Sequence, residues 1–294
     1  MILKKKIKEG GIRVGLALGG GGARGFAHIG ILKVMEENRI SISVLAGTSF
    51  GSIIGGLYSL YLSAAVVEER SSEFLSSPSF NRIRNSYMKG MAGEKRRAGV
   101  GMISLSRQAF IKAGDYLGIM RSLAGDRTFE DTKIPFAITA TDIINERGVI
   151  LVNGALDTAF AATCSIPGIF PPVSIGGNIL VDGGWSAGVP VEAARMLGAD
   201  IIIAIDTSEE MNGNIDLECG LNILLRSDAV TRRILSGIQI RDADIVVKPD
   251  LKGISWDSFN KAQDAALSGE AAARSMMREI LQLIDKHAHK TKGV

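Results

Sequence analysis

Near-continuous apolar runs at Ile12–Leu18, Ile40–Ala46 and Ile201–Ile205 have the pattern of strands covered on both faces. Between the first two, Phe26, Ile29, Ile31, Leu32 and Met35 recur at helical spacing as far as Asn38, so a helix joins them. Glycine-rich turns close both strands. Two strands joined in this way make a βαβ unit, which requires a parallel sheet with helices on its faces. A long helix is predicted next, from Phe50 to about Phe74.

Residues 76–125 interrupt this rhythm with Pro78, scattered glycines, Met88, Met91, Met102 and short helical patterns around Gln108–Leu123, the mark of an insertion. Strands resume at Pro135–Ala140 and Val149–Val152, followed by a helix near Leu156–Ala162. Ile166–Pro172 is a rigid loop and a short strand ends at Val181. A helix spans Pro190–Leu197, and after Ile201–Ile205 come a helix around Leu221–Ile240, a strand Ile245–Val247 and a terminal helix over about 262–286. The expectation is one α/β domain over residues 1–294, a three-layer α/β/α arrangement with a mainly parallel central sheet.

Composition narrows the class. In 294 residues, 46% apolar and 22% charged is ordinary globular usage, and a net charge of +3 without interleaved basic and aromatic residues argues against nucleic acid. Cys164 and Cys219 have neither disulfide-framework nor zinc-site spacing, so no metal is expected. Lys4–Lys6 and Lys8 precede Val14–Leu18, but that run is short and breaks into four glycines and Arg24, unlike a signal peptide. No run of about 18 apolar residues suggests a membrane span. A cytoplasmic chain, touching membranes at most from the side, is expected.

The chemistry gathers where the second strand ends, in Gly47-Thr48-Ser49-Phe50-Gly51. A serine between glycines at a strand-to-helix reversal is a nucleophile elbow, with Oγ exposed and the amides of the following helix nearby. The glycine run after the first strand contains Gly20, Gly22 and Gly25 at dinucleotide-fingerprint spacing. A Rossmann unit, however, places an acid at the end of its second strand, where this chain has Ala46-Gly47-Thr48-Ser49. Consecutive bare amides before a helix also make a nest for an oxyanion. Arg24 reads as a loop-orienting group, a contact for an anionic substrate or a solvated charge.

A serine needs a base. His28 lies among apolar helix positions and reads as a core histidine, while His287 and His289 fall in a polar tail. Asp182, before Gly183 and Gly184 at the end of a short strand, is the better candidate, though an aspartate there also forms plain turns.

Gly19–Gly25 with the following Phe26–Gly30, the elbow Gly47–Gly51, Cys164–Val173 and Asp182-Gly183-Gly184, in this order, resemble the patatin-like phospholipases. The resemblance covers about Val14–Ile205. It implies a dyad without histidine: Ser49 as nucleophile, Asp182 as base, the amides of Gly20, Gly21 and Gly22 as oxyanion donors, and Arg24, Gly25, Gly47, Gly51, Gly183 and Gly184 as supporting motif positions. It implies a lipid substrate, acyl hydrolysis and no cofactor. The family often carries an asparagine shortly before the proline after Asp-Gly-Gly, where this chain has Ser186-Ala187-Gly188, and Phe50 is bulkier than the usual residue after the serine.

Two alternatives stand beside this reading. One is a triad of Ser49, Asp182 or Asp206, and His287; the other is a nucleotide-binding module built on the glycine loop. Charge adds one feature: Arg82–Lys112 holds eight basic residues against the single acid Glu94, leaving −4 on the rest of a +3 chain. Beside Tyr87, Met88, Met91 and Met102, that excess suits peripheral contact with an anionic membrane.

Overall fold

The computed structural model describes residues 11–91, 109, 111–208 and 220–292. Its strands are β1 (Val14–Leu18), β2 (Ile42–Thr48), β3 (Phe136–Asp142), β4 (Arg147–Leu151), β5 (Val173–Ile175), β6 (Asn178–Asp182), β7 (Ile201–Ile205) and β8 (Ile245–Val247). Its helices are α1 (Ala27–Glu37), α2 (Phe50–Tyr61), α3 (Ala64–Ser76), α4 (Pro78–Met91), α5 (Ala113–Ala124), α6 (Leu156–Thr163), α7 (Val191–Met196), α8 (Gly220–Gln239) and α9 (Ala262–Lys292). Strands β3, β2, β1, β7 and β8 lie side by side and parallel, and β4, β5 and β6 add antiparallel pairings at the β3 end of the sheet.

Side chains alternate across this sheet into two cores. Leu16, Leu18, Leu45, Ile203 and Ile205 join the larger core with residues of α1, α2, α6 and α9, whereas Ala17, Val44, Ala46, Ile202 and Ala204 join the smaller core with α7. The two faces differ in bulk. On the smaller side, Ala137, Ala46, Ala17 and Ala204 are paired in register across four adjacent strands, a row of methyl groups that lets the short α7 sit close. This is the α/β/α layering expected from the apolar runs.

The expected helix from Phe50 to Phe74 is two helices. Leu62 takes a left-handed conformation (φ 54°), ending α2, and Ser63 Oγ accepts the Val66 amide at 3.3 Å as the N-cap of α3. The apolar periodicity continues across the break, which is why the pattern alone reads through it. Short β5 was not anticipated in the Pro-rich stretch; it pairs antiparallel with β6.

One register detail places the site. Along one edge of β3, Thr139 pairs with Thr48 of β2 and the next residue, Ala140, pairs with Asp182 of β6. At both positions β4 occupies the opposite edge, through Ile150 and Val149. β2 and β6 therefore meet end to end against one strand, which brings Ser49 and Asp182 together despite a sequence separation of 133.

If the alanine row sets the spacing of α7, Ala17→Leu should overpack it and cost about 1–3 kcal/mol. Thermal unfolding should then show a melting temperature several degrees lower; an unchanged value would mean that the layer has room to spare.

Candidate active site

Ser49 joins β2 to α2 at φ 51° and ψ −127°, outside the basins that L-residues ordinarily occupy. The surroundings hold it there. Its amide donates to Thr163 Oγ1 at 2.8 Å, and its carbonyl accepts from the Ser52 amide at 2.9 Å. Any side chain at Gly47 would run into the backbone of Ser52, and one at Gly51 into the carbonyls of Leu18 and Gly19, so the elbow closes only with glycine on both sides.

Ser49 Oγ donates to Asp182 Oδ2 at 2.6 Å. The other carboxylate oxygen accepts from the Gly184 amide at 2.7 Å, in a short 3-10 turn that begins at Gly183. Gly183 is bare because a β-carbon there would strike the Thr139 carbonyl. Asp182 is only 4% exposed, and burial pushes its carboxyl up from 3.8 to about 6, against the opposing pull of the Ser49 hydroxyl, the Gly184 amide and the charge of Arg232. In place of the family's frequent asparagine, Ser186 Oγ meets Thr141 Oγ1 at 2.8 Å, and Thr141 in turn donates to the Asp182 carbonyl at 3.0 Å.

The glycine loop crosses beside the serine: a β-carbon at Gly20 would lie 3.3 Å from Ser49 Cβ. The three amides expected to act together differ. Gly20 N–H is committed to Gly188 O at 3.0 Å, whereas Gly21 and Gly22 N–H have no acceptor among the described residues. Arg24 is buried rather than solvated, and its Nε donates to Thr207 O at 2.9 Å. Gly25 packs under the ring of Phe50.

No histidine touches this pair. His28 is fully buried, faces Gly19 O through Nε2 at 2.8 Å, and is pulled by burial down to about 4, so it is neutral near pH 7. His287 Nδ1 faces Leu283 O within α9. Asp206 caps its own turn through the Ser208 amide. Thr163 and Thr207 were not among the residues expected from sequence: Thr163 lies just before the Cys164–Val173 stretch and Thr207 just past β7, and neither carries a signal of its own.

An apolar cleft of about 930 Å³, its mouth included, adjoins Ser49. Phe50, Ile53, Phe80, Met120, Phe170 and Phe259 line it, with Arg84 and Asp257 as its charged members. Ring contacts run from Phe50 through Phe259 to Phe80 and Phe74 at centroid distances of 6.0, 5.1 and 4.7 Å. Cys164 also lines the cleft, and burial with the nearby Asp182 charge pushes its thiol well up, so it stays protonated. Of the basic insertion, α4 carries Arg82 and Arg84, while residues 92–108 lie outside the described residues. Among the described residues there is no group of metal-binding side chains, and no helix is long and apolar enough to cross a membrane.

A strained serine thus donates to a buried aspartate beside an apolar cleft. The family model for patatin-like phospholipases matches residues 16–195, and the chain belongs to that family. A patatin-like phospholipase domain-containing protein of Caenorhabditis elegans is 32% identical over 222 residues, 74% of this chain and 15% of the relative. An uncharacterised NTE-family protein of Mycobacterium bovis is 30% identical over 195 residues, 66% of this chain and 48% of that one. A lysophospholipase of Emericella nidulans is 32% identical over 206 residues, 70% and 12% of the two chains. The chain thus spans less than half the length of these relatives. Among solved structures, human GIVD cytosolic phospholipase A2 superposes with a TM-score of 0.52 at 11% identity, covering 95% of this chain and 60% of that one. VipD from Legionella pneumophila gives 0.51 at 12% identity, covering 94% and 67%. Both share the fold.

The raised carboxyl has a consequence for stability. A group whose folded value lies above its unfolded value contributes fully below the unfolded value, and that contribution is lost as pH rises through the folded one. Wild type should therefore lose stability relative to Asp182→Asn between about pH 4 and pH 6, the melting-temperature difference levelling off above that. A difference independent of pH would show that Asp182 titrates normally.

Proposed function

We propose that this chain hydrolyses carboxylic esters of phospholipids or related lipids through a Ser49–Asp182 dyad and an acyl-enzyme. The observation that carries the reading is the 2.6 Å bond from Ser49 Oγ to a carboxylate that no histidine approaches, at the wall of an apolar cleft suited to an acyl chain.

Asp182 Oδ2 takes the Ser49 proton as Oγ attacks the ester carbonyl. The free amides of Gly21 and Gly22 receive the tetrahedral oxyanion, the role first expected of Gly20 as well. Collapse expels the alcohol, which recovers the proton from Asp182 and leaves an acyl group on Ser49. Water, deprotonated by Asp182, then attacks the acyl-enzyme, and collapse breaks the acyl–Oγ bond, Ser49 Oγ recovering the proton from Asp182 as the fatty acid leaves. A carboxylate near 6 is a stronger base than an ordinary one yet remains ionised at neutral pH, so burial of Asp182 serves the chemistry directly.

The names of relatives support a lipid substrate, and one is called a lysophospholipase. The basic stretch Arg82–Lys112 is proposed to hold the enzyme against anionic lipid, a contact that salt should weaken. A triad through His287 has no support in the distances around Ser49.

Ser49→Ala and Asp182→Asn should each lower turnover of a lysophospholipid by about 10³-fold or more, and the double variant should lose little further, because the two groups act as one unit. The wild-type kcat/KM should rise with pH through about 6 and then level off, since the base works only when deprotonated. Mass spectrometry of products from a lipid panel identifies the bond cleaved. Near-wild-type turnover by either single variant overturns the dyad.

A further inference from the structure

The glycine loop is held by its carbonyls. The Gly19–Gly20 peptide is fixed at both ends, its carbonyl accepting from His28 Nε2–H at 2.8 Å and its N–H donating to Gly188 O at 3.0 Å. In the next peptide, the Gly20 carbonyl accepts from the Thr207 hydroxyl at 3.1 Å; in the one after, the Gly21 carbonyl accepts from the Arg24 amide at 3.2 Å. The N–H groups of these two middle peptides, on Gly21 and Gly22, are the ones without an acceptor among the described residues. Beyond them, Ala23 N–H is committed again, to Trp256 O at 2.7 Å.

Direction follows from covalent geometry. All the peptides are trans, so each N–H points opposite to the carbonyl of its own unit. With the Gly20 carbonyl drawn to Thr207, the Gly21 N–H faces away from Thr207. Gly20 borders Ser49, and Gly22 lines the cleft with it. A hydrogen bond at the carbonyl also polarises its peptide and strengthens the opposite N–H as a donor.

We infer that Thr207 and His28 are positioning residues of the oxyanion hole, the hydroxyl aiming the Gly21 amide through the Gly20 carbonyl and the imidazole fixing the preceding peptide through the Gly19 carbonyl. The inference rests on the serine–aspartate reading above. Neither side chain touches substrate. Thr207 is fully buried, its hydroxyl also lies 3.3 Å from the Gly19 carbonyl, and its own carbonyl is held by Arg24 Nε, so the anchor is itself anchored. His28 must carry its proton on Nε2, since that nitrogen faces a carbonyl, and its buried Nδ1 has no partner among the described residues. An unpartnered buried nitrogen is a cost that an aliphatic side chain would not incur, and the bond to Gly19 is what the ring supplies in exchange. Burial keeps the ring neutral, so this support does not change as Asp182 titrates.

The test compares Thr207→Val with Thr207→Ser, and His28→Leu with His28→Gln, whose amide nitrogen reaches about as far as Nε2. Melting curves, kcat and KM on a short soluble ester, and inhibition by an alkyl trifluoromethyl ketone, which forms a tetrahedral adduct on serine, are measured for each. Thr207→Val should lower kcat about 10- to 100-fold with KM within about twofold, and weaken the ketone in proportion, the scale of a misaimed oxyanion donor. Thr207→Ser should restore most of both, and His28→Gln should exceed His28→Leu. Wild-type kcat in Thr207→Val, a loss confined to KM, unweakened ketone binding, or a loss that serine does not restore would each overturn the inference. If His28→Leu fails to fold, the Thr207 pair decides. Ser49→Ala, run alongside, separates the two levels: its inactivity with an unaffected Thr207→Val removes only the positioning role, whereas an active Ser49→Ala removes the dyad and this role with it.

Discussion

Everything near the site serves to keep a short-range contact between two groups that are distant in the chain. A serine just past the end of one strand and an aspartate at the end of another lie 2.6 Å apart, and neither strand pairs with the other. Strand β3 joins them, because consecutive residues Thr139 and Ala140 pair with the last residues of β2 and β6 along one edge. A slip of one residue in either pairing would shift that strand's end by about 3.3 Å and turn its side chain to the other face, so the contact is as exact as the register. The Thr48 hydroxyl, 2.8 Å from that of Thr139 and 2.6 Å from the Ala187 carbonyl, locks the junction from within.

Two local costs come with this arrangement. Ser49 occupies a strained backbone conformation, and Asp182 keeps a carboxylate out of water. The larger core offsets both, with β1 and β7 wholly buried and β2 buried at all but Ser43, in the middle of the sheet between layers of helices. That no cation among the described residues bonds directly to Asp182 is part of the same logic. A close arginine would stabilise the carboxylate and depress its basicity, whereas burial with two neutral donors, the Ser49 hydroxyl and the Gly184 amide, leaves it raised to about 6.

Much of this was legible in the sequence, for identifiable reasons. Ile201–Ile205 and the glycine-closed ends of β1 and β2 are set by local pattern, and the elbow glycines around Ser49 are dictated by crowding that only glycine tolerates. The join at Leu62–Ser63 was not legible, since a left-handed leucine has no composition signal and the apolar spacing runs through it. Asp182 stands out by pattern as a carboxylate before two glycines at a strand end, but its pairing with Ser49 comes only from the resemblance, because strand register fixes that partner. The same limit hid Thr163 and Thr207, single threonines whose work is to bond backbone groups contributed by remote segments. The commitment of the Gly20 amide to Gly188 likewise depends on how two distant loops meet.

The central claim is that Ser49 is the nucleophile and Asp182 its base. An alkyl fluorophosphonate, which captures an activated serine covalently, tests it with one measurement: the modified residue is mapped by peptide mass spectrometry in wild type, and the rate of capture is followed in wild type and in Asp182→Asn. The account predicts a single adduct on the peptide containing Ser49, formed about 10²-fold or more slowly without the aspartate. An adduct on another residue, or capture at Ser49 that is equally fast in Asp182→Asn, would contradict it.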